Sequence, residues 1–153
     1  MQRNELDEKI LECLKQDGRA THADIGREVG ITGPAVFARV RRMEESGLIR
    51  GYRADIDPSK MGFPLTAFVR VTTRPIKVET DSFEPFVWSE SRIIECHDVA
   101  GEDTFILKVR CASPEDLRDL LMCIRARPQV IRTASSVALA IVKEPGMRAP
   151  EAS

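Results

Sequence analysis

Residues 21–47 read THADIGREVGITGPAVFARVRRMEESG, and this stretch decides the fold of the N-terminal half. Thr21, followed three residues later by Asp24, is a capping-box arrangement that opens a short helix. Ile25 and Val29 stand four apart on one face of it, and Gly30 ends it. Only Gly30-Ile31-Thr32 separates this helix from the next. Thr32 offers a hydroxyl cap, and Pro34 falls in the first turn, where its missing N–H would be unpaired anyway. Val36, Val40 and Met43 form an inward stripe. Gly47 stops the helix and leaves Leu48-Ile49 to pack back on it. Upstream, Asn4 caps a leading helix whose Leu6, Ile10, Cys13 and Leu14 recur at helical spacing, and Asp17-Gly18 closes it. Three helices, the last two joined by a tight glycine-containing turn, make a helix-turn-helix.

The charge pattern points to what such a motif would touch. The 153-residue chain carries 23 Lys and Arg against 24 Asp and Glu. A polybasic coat is excluded, so a nucleic-acid surface has to be a local patch. Between Gly33 and Arg53 there are five arginines against two glutamates. Arg39, Arg41 and Arg42 are expected on the outward face of the third helix, with Arg50 and Arg53 just beyond it. Guanidiniums placed this way neutralise phosphates. Thr32, Gly33 and Phe37 complete the candidate DNA-contacting set; Phe37 is the residue able to touch a thymine methyl.

The second half alternates differently. Arg50 to Asp57, with Tyr52, Ala54 and Ile56 on one side, reads as a linking strand, and Pro58 to Gly62 as a turn. Leu65, Ala67, Val69 and Val71 alternate with Thr66, Phe68, Arg70 and Thr72 in a strand. Val78 to Trp88 reads as a helix interrupted by Pro85. Arg92 to Ala100 and Thr104 to Cys111 are strands joined by Gly101-Glu102-Asp103. Ser113-Pro114-Glu115-Asp116 caps a helix carrying Leu117, Leu120, Leu121 and Ile124, and Val130 to Lys143 is a final strand. The order β-α-β-β-α-β is the ferredoxin-like split unit. Two helices cover one sheet face; Phe68 and Ile106, with Phe105 a further candidate, are left on the other, where a second copy of the chain is the economical cover. The chain is therefore expected to be α+β. Residues 1–50 form a helix-turn-helix domain, 51–62 the linking strand and turn, 63–143 a ferredoxin-like domain with an oligomerisation face, and 144–153 a tail. Trp88 is expected to pack, and His22 to face solvent.

Several function classes are excluded at this level. The longest apolar run, Val137 to Val142, is six residues, against about 20 for a membrane span. The polar N-terminus has no apolar signal core, so a cytoplasmic protein is expected. Cys13, Cys96, Cys111 and Cys123 show no CxxC spacing and read as small buried hydrophobes. Cys96 and His97 are adjacent on a strand, point to opposite faces and cannot chelate one metal. No Ser-His-Asp set, P-loop, dinucleotide fingerprint or paired-carboxylate motif appears. No metal, cofactor or catalytic residue is expected.

Asp7-Glu8-Lys9-Ile10-Leu11, Asp17-Gly18-Arg19, Val29-Gly30-Ile31-Thr32, Arg39 to Glu44, Gly47-Leu48-Ile49 and Gly51-Tyr52 in the first half, with Val99 to Asp103 and Arg132 to Ser135 in the second, resemble the Lrp/AsnC, or feast/famine, transcriptional regulators. The resemblance runs from Asn4 to about Lys143. It implies that residues 1–50 are a winged-type DNA-binding domain and that residues 63–143 are an effector-binding sensor domain that dimerises and senses amino acids. It also implies octamers built as tetramers of dimers, with effector held between dimers. Gly33 and Pro34 depart from the family by standing where hydrogen-bonding side chains are more usual.

The effector site falls on the turn and the last strand. A free amino acid has an ammonium, which Asp103 or Glu102 would meet. Its carboxylate would be met by the backbone after Gly101 and by the Thr133 and Ser135 hydroxyls. Ala100 borders the turn. Ser136 and Val137 correspond to positions where the family's response is tuned. Two other readings share the architecture: a decarboxylase-like enzyme acting on a tetrapyrrole, and an architectural DNA-binding protein without effector.

Overall fold

The computed structural model describes residues 4–74 and 83–144. The chain divides into two compact units at Asp55/Ile56. The first contains α1 (Glu5–Gln16), α2 (His22–Val29) and α3 (Gly33–Glu45). Each helix starts on a side-chain cap. Asn4 accepts from Leu6 N–H at 3.0 Å, Thr21 from Asp24 N–H at 3.1 Å, and Thr32 from Ala35 N–H at 3.4 Å. These bonds satisfy amides that no intrahelical carbonyl can reach. Ile10, Cys13, Ile25, Val36, Val40 and Met43 form the buried core, with Leu6, Leu14, Val29 and Ile49 packed around it. Ile49 is turned back onto the core by its N–H, which donates to the Met43 carbonyl at 3.0 Å.

The turn between α2 and α3 depends on two glycines. Gly30 caps α2 in the left-handed conformation at φ 79°. The amides of Gly30 and Ile31 both donate to the Gly26 carbonyl at 2.9 Å. A β-carbon on Gly26 would stand 2.5 Å from the Ile31 carbonyl oxygen and 3.2 Å from the Gly33 nitrogen. Only a glycine lets the chain return this close to the helix it has just left.

The second unit contains β1 (Leu65–Thr73), α4 (Phe83–Ser89), β2 (Ile93–Asp98), β3 (Phe105–Cys111), α5 (Pro114–Arg125) and β4 (Val130–Val137). The sheet order is β2-β3-β1-β4, all neighbours antiparallel, as the split β-α-β-β-α-β order requires. Ala67, Val69, Val71, Leu107, Val109 and Cys111 face the helices and bury Phe83, Leu117, Leu120, Leu121 and Ile124. Burying each such leucine contributes about 1.5–3 kcal/mol. Arg92 ties the start of β2 to α5, donating to Glu90 at 2.6 Å and to Asp116 at 2.7 Å. Its guanidinium holds the Glu90 carboxyl below the usual carboxylate range. The Ala112 N–H, and after it Arg92, does the same for Asp116.

Five expectations are corrected. Arg50 to Asp57 forms no strand, because no described segment pairs with it and an unpaired ladder has no reason to persist. Tyr52 instead donates to the Glu44 carboxylate at 2.9 Å. The last strand stops at Val137, not Lys143. Its partner β1 begins at Leu65, Ala138 N–H makes the final bond to Thr66, and Pro64 has no N–H to offer. Phe105 packs on the helical face, its ring 5.2 Å from Phe83, which leaves Phe68 and Ile106 on the open face. Trp88 is 90% exposed; α4 turns Phe83, Phe86 and Val87 inward and leaves Trp88 outside. Cys13 and Cys111 are buried, but Cys96 and Cys123 are only half-buried. Of the helix expected from Val78, the part before Phe83 lies outside the described residues, as does the tail from Pro145. Pro85 is the third residue of α4, inside its first turn, where the missing N–H costs little.

Candidate functional site

Two groups of residues carry the expected chemistry. The first is the surface of α3. Residues on a helix are set about 100° apart, so with Val36, Val40 and Met43 inward, the outermost stripe is Pro34, Ala38, Arg41 and Glu45, all exposed. Arg41 donates to Glu45 at 2.8 Å. That pair is two-thirds exposed and worth little in water, so Arg41 is available to a phosphate. Phe37 lies on the α2 side, half exposed, its ring 5.5 Å from His22. His22 is thereby half-buried rather than solvent-facing.

Arg39 and Arg42 are not on the outermost stripe. They are three residues apart on the side facing α1, and both reach one carboxylate, Asp7. Arg39 donates to it at 2.7 Å and Arg42 at 3.0 Å. The Asp7 side chain is 9% exposed. Sequence reasoning misses Asp7. Its signal is positional: Asp7 stands three residues before Ile10 and seven before Leu14, on the edge of the apolar face of α1. Thr32 has its hydroxyl engaged as the α3 cap. Gly33 lies where α3 meets the start of α2, a β-carbon there falling 3.5 Å from Ala23 Cα. Arg50 and Arg53 are exposed, with no ion-pair partner among the described residues.

The second group lies at the end of the sheet that the β2–β3 turn closes. The turn is Gly101-Glu102-Asp103-Thr104, with Asp103 two residues after the glycine. Gly101 has φ 155°, where a side chain would be strained. Thr104 N–H donates to Val71, and the Thr104 hydroxyl accepts from Thr73 N–H at 3.0 Å, tying the turn to β1. Asp103 is mostly buried. It accepts from the Thr72 hydroxyl at 3.2 Å and faces Arg132 at 3.5 Å and Arg70 at 3.9 Å. Ala100, Gly101 and Glu102 are exposed.

Pairing register sorts the remaining candidates by face, since residues directly opposite across an antiparallel pair share a face. Thr133, Ser135 and Val137 stand opposite Val71, Val69 and Ala67, on the helical face. There the Thr133 hydroxyl accepts from Arg125 of α5 at 2.8 Å. Ser136 stands opposite Phe68 and is on the open face, with Arg70, Arg132 and Asp103. Within one chain the fold therefore separates Asp103 from the Thr133 and Ser135 hydroxyls. It gathers instead two guanidiniums and a threonine that periodicity alone does not single out.

A helix-turn-helix with exposed arginines, on the same chain as a ferredoxin-like sheet bearing a charged cluster at one end, defines a DNA-binding regulator with a separate ligand domain. Residues 3–50 match the winged helix-turn-helix DNA-binding family, and residues 66–147 match the Lrp/AsnC ligand binding domain. The chain belongs to the Lrp/AsnC family of transcriptional regulators. It is 37% identical over 137 residues to the HTH-type transcriptional regulator LrpA of Mycobacterium tuberculosis, covering 89% of each chain. It is 34% identical to the leucine-responsive regulatory protein of Haemophilus influenzae, covering 91% of this chain and 85% of that one. Among solved structures, the feast or famine regulatory protein of M. tuberculosis complexed with L-methionine superposes with a TM-score of 0.83 at 34% identity, covering 96% of this chain and 99% of that one.

Proposed function

We propose that this regulator binds specific DNA through residues 1–50, is linked by 51–62 to a sensor spanning 63–143, and answers to a free amino acid. In this reading it acts in the cytoplasm as a homo-oligomer and catalyses no reaction. The observation that carries the effector reading is the cluster at the sheet end: Asp103 beside Arg70 and Arg132. An amino acid presents one ammonium and one carboxylate, and this cluster offers the complement of both. Asp103 takes the ammonium, and the guanidiniums it releases take the carboxylate. The L-methionine bound by the tuberculosis relative supports the same ligand class.

Thr133 and Ser135 lie on the opposite face, so one chain cannot close them and Asp103 around a molecule of this size. A site using both sets needs two chains, which favours an effector held between subunits. The open sheet face, with Phe68 44% exposed, suits a dimer contact, and family membership favours further assembly to an octamer.

Replacing Asp103 by alanine is expected to preserve DNA binding and abolish the response to effector. The measurement is DNA affinity with and without each amino acid that stabilises the wild type in a thermal screen; a ligand bound only to the native state raises the melting temperature. A response that survives in the variant moves the site elsewhere. Lost DNA binding makes the turn a structural element only.

For the DNA-binding half, the double replacement of Arg41 and Arg50 by alanine is expected to weaken binding without lowering the melting temperature. Removing each phosphate contact should reduce the slope of log affinity against log salt by about 0.9. Fluorescence anisotropy titrations at several salt concentrations read this directly. An unchanged slope would remove both residues from the interface.

A further inference from the structure

We infer that this regulator recognises its DNA chiefly by apolar contact with thymine methyl groups, with Phe37 as the specificity-determining residue. The inference deepens the DNA-binding reading and rests on it.

The N-terminal half of a recognition helix is the part that meets base edges. Here that half offers almost nothing to hydrogen-bond with. Gly33, Pro34, Phe37 and Ala38 have no polar side-chain atom, and Pro34 lacks even an N–H. The nearest hydroxyl, on Thr32, accepts from Ala35 N–H and keeps its O–H to donate, but a single hydroxyl contacts purines and pyrimidines alike and does not discriminate as a bidentate pair does. The next exposed polar side chain on this surface is Arg41, two turns beyond Pro34, where its exposed pair with Glu45 leaves it free for a phosphate. The usual bidentate readers of guanine and adenine are therefore absent where base edges would lie.

What the surface does offer is shape and an aromatic ring. Pro34 and Ala38 are small and exposed, so the helix can sit deep in a groove. Phe37 is 50% exposed, and its ring lies 5.5 Å from that of His22. In the major groove the one feature readable without a hydrogen bond is the C5 methyl of thymine. The surrounding charge matches the same occupant: Arg41, Arg50 and Arg53 are exposed and suit the phosphates on either side of a groove. Glu44 and Glu45 close the far end of α3 and would repel them. The base-reading part is thus confined to the stretch around Pro34, Phe37 and Ala38.

The test uses the full-length protein and a duplex selected by it from a random-sequence pool. Each thymidine of the selected site is replaced in turn by deoxyuridine, which removes the methyl and leaves base pairing intact. At one or two positions per half-site the wild type should lose about fourfold in affinity, the worth of one buried methyl. Phe37→Ala should bind the thymidine and deoxyuridine duplexes equally at those positions. Phe37 is half exposed, so the variant should fold, and the deoxyuridine series on the wild type needs no variant at all. Tolerance of deoxyuridine throughout a specifically bound site overturns the inference. So does a Phe37→Ala protein that still distinguishes the two duplexes. Failure to retain any duplex at low salt overturns the DNA-binding reading along with it.

Discussion

Gly26→Ala should unfold, or nearly unfold, the helix-turn-helix unit while leaving the sheet unit folded. The added β-carbon would stand 2.5 Å from the Ile31 carbonyl oxygen and 3.3 Å from the Thr32 carbonyl carbon. These neighbours are backbone, and the same backbone makes the turn: the Gly30 and Ile31 amides both close on the Gly26 carbonyl. Relief requires α2 and α3 to separate, which opens the core between Ile25 and Val36. Overpacking of this kind costs about 3 kcal/mol, a large share of the stability of a unit of this size. Calorimetry should resolve a lowered or lost transition for this unit beside an unchanged one for the other, and DNA binding should go with it. Gly30→Ala is the comparison. Gly30 has φ 79°, but a β-carbon added there would meet no atom within 4 Å, so only the backbone penalty of about 1 kcal/mol applies. Equal melting temperatures for Gly26→Ala and the wild type would refute this account of the turn.

Asp7→Ala should come next in size. Its carboxylate holds Arg39 and Arg42, one from each oxygen. Removing one partner of a buried pair costs about 3–5 kcal/mol, because the remaining charge is left without compensation. Arg39 keeps 28% of its side-chain surface exposed and Arg42 60%, so water recovers part of that loss and about 2 kcal/mol is expected. Asp7→Asn keeps an acceptor for one arginine and should recover part of the stability. Chemical denaturation of the three proteins orders them as wild type, Asp7→Asn, Asp7→Ala. If both variants matched the wild type, the two ion pairs would contribute nothing to holding α1 against α3.

The two groups of functional residues are built on different kinds of support. The proposed DNA-reading face belongs to one helix, positioned by a glycine turn and by a carboxylate behind it. The proposed effector cluster is assembled from two strands and a turn: Arg70 and Thr72 come from β1, Arg132 from β4, and Asp103 from the turn between β2 and β3. Asp103 at rest is neutralised by the guanidiniums that a ligand carboxylate would claim. On the proposed reading a ligand exchanges those contacts rather than filling a vacancy. It can shift assembly or DNA binding only by the difference in its affinity for the two arrangements.

Local rules are enough to read much of this from sequence. Asn4, Thr21, Thr32 and Ser113 each cap the helix that follows them, because a cap needs only a side-chain oxygen and an amide two or three residues away. The alternation of Leu65 to Thr72 and of Phe105 to Cys111 sets which residues face the helices, since successive side chains on a strand point to opposite sides. The tertiary structure decided what periodicity cannot carry. The spacing of about 100° sets Arg39 and Arg42 to one side of Arg41, but only the approach of Asp7, on another helix, decides that those two are engaged within the domain. Gly26 reads as an ordinary helical residue until the chain folds back against it. Asp103 and the Thr133 and Ser135 hydroxyls look like one site when grouped by chemistry. The register of β4 on β1 puts them on opposite faces and brings Arg132 and Thr72, 29 and 31 residues from Asp103, to its side instead. Contacts at that separation depend on strand pairing, and pairing is a property of the whole sheet.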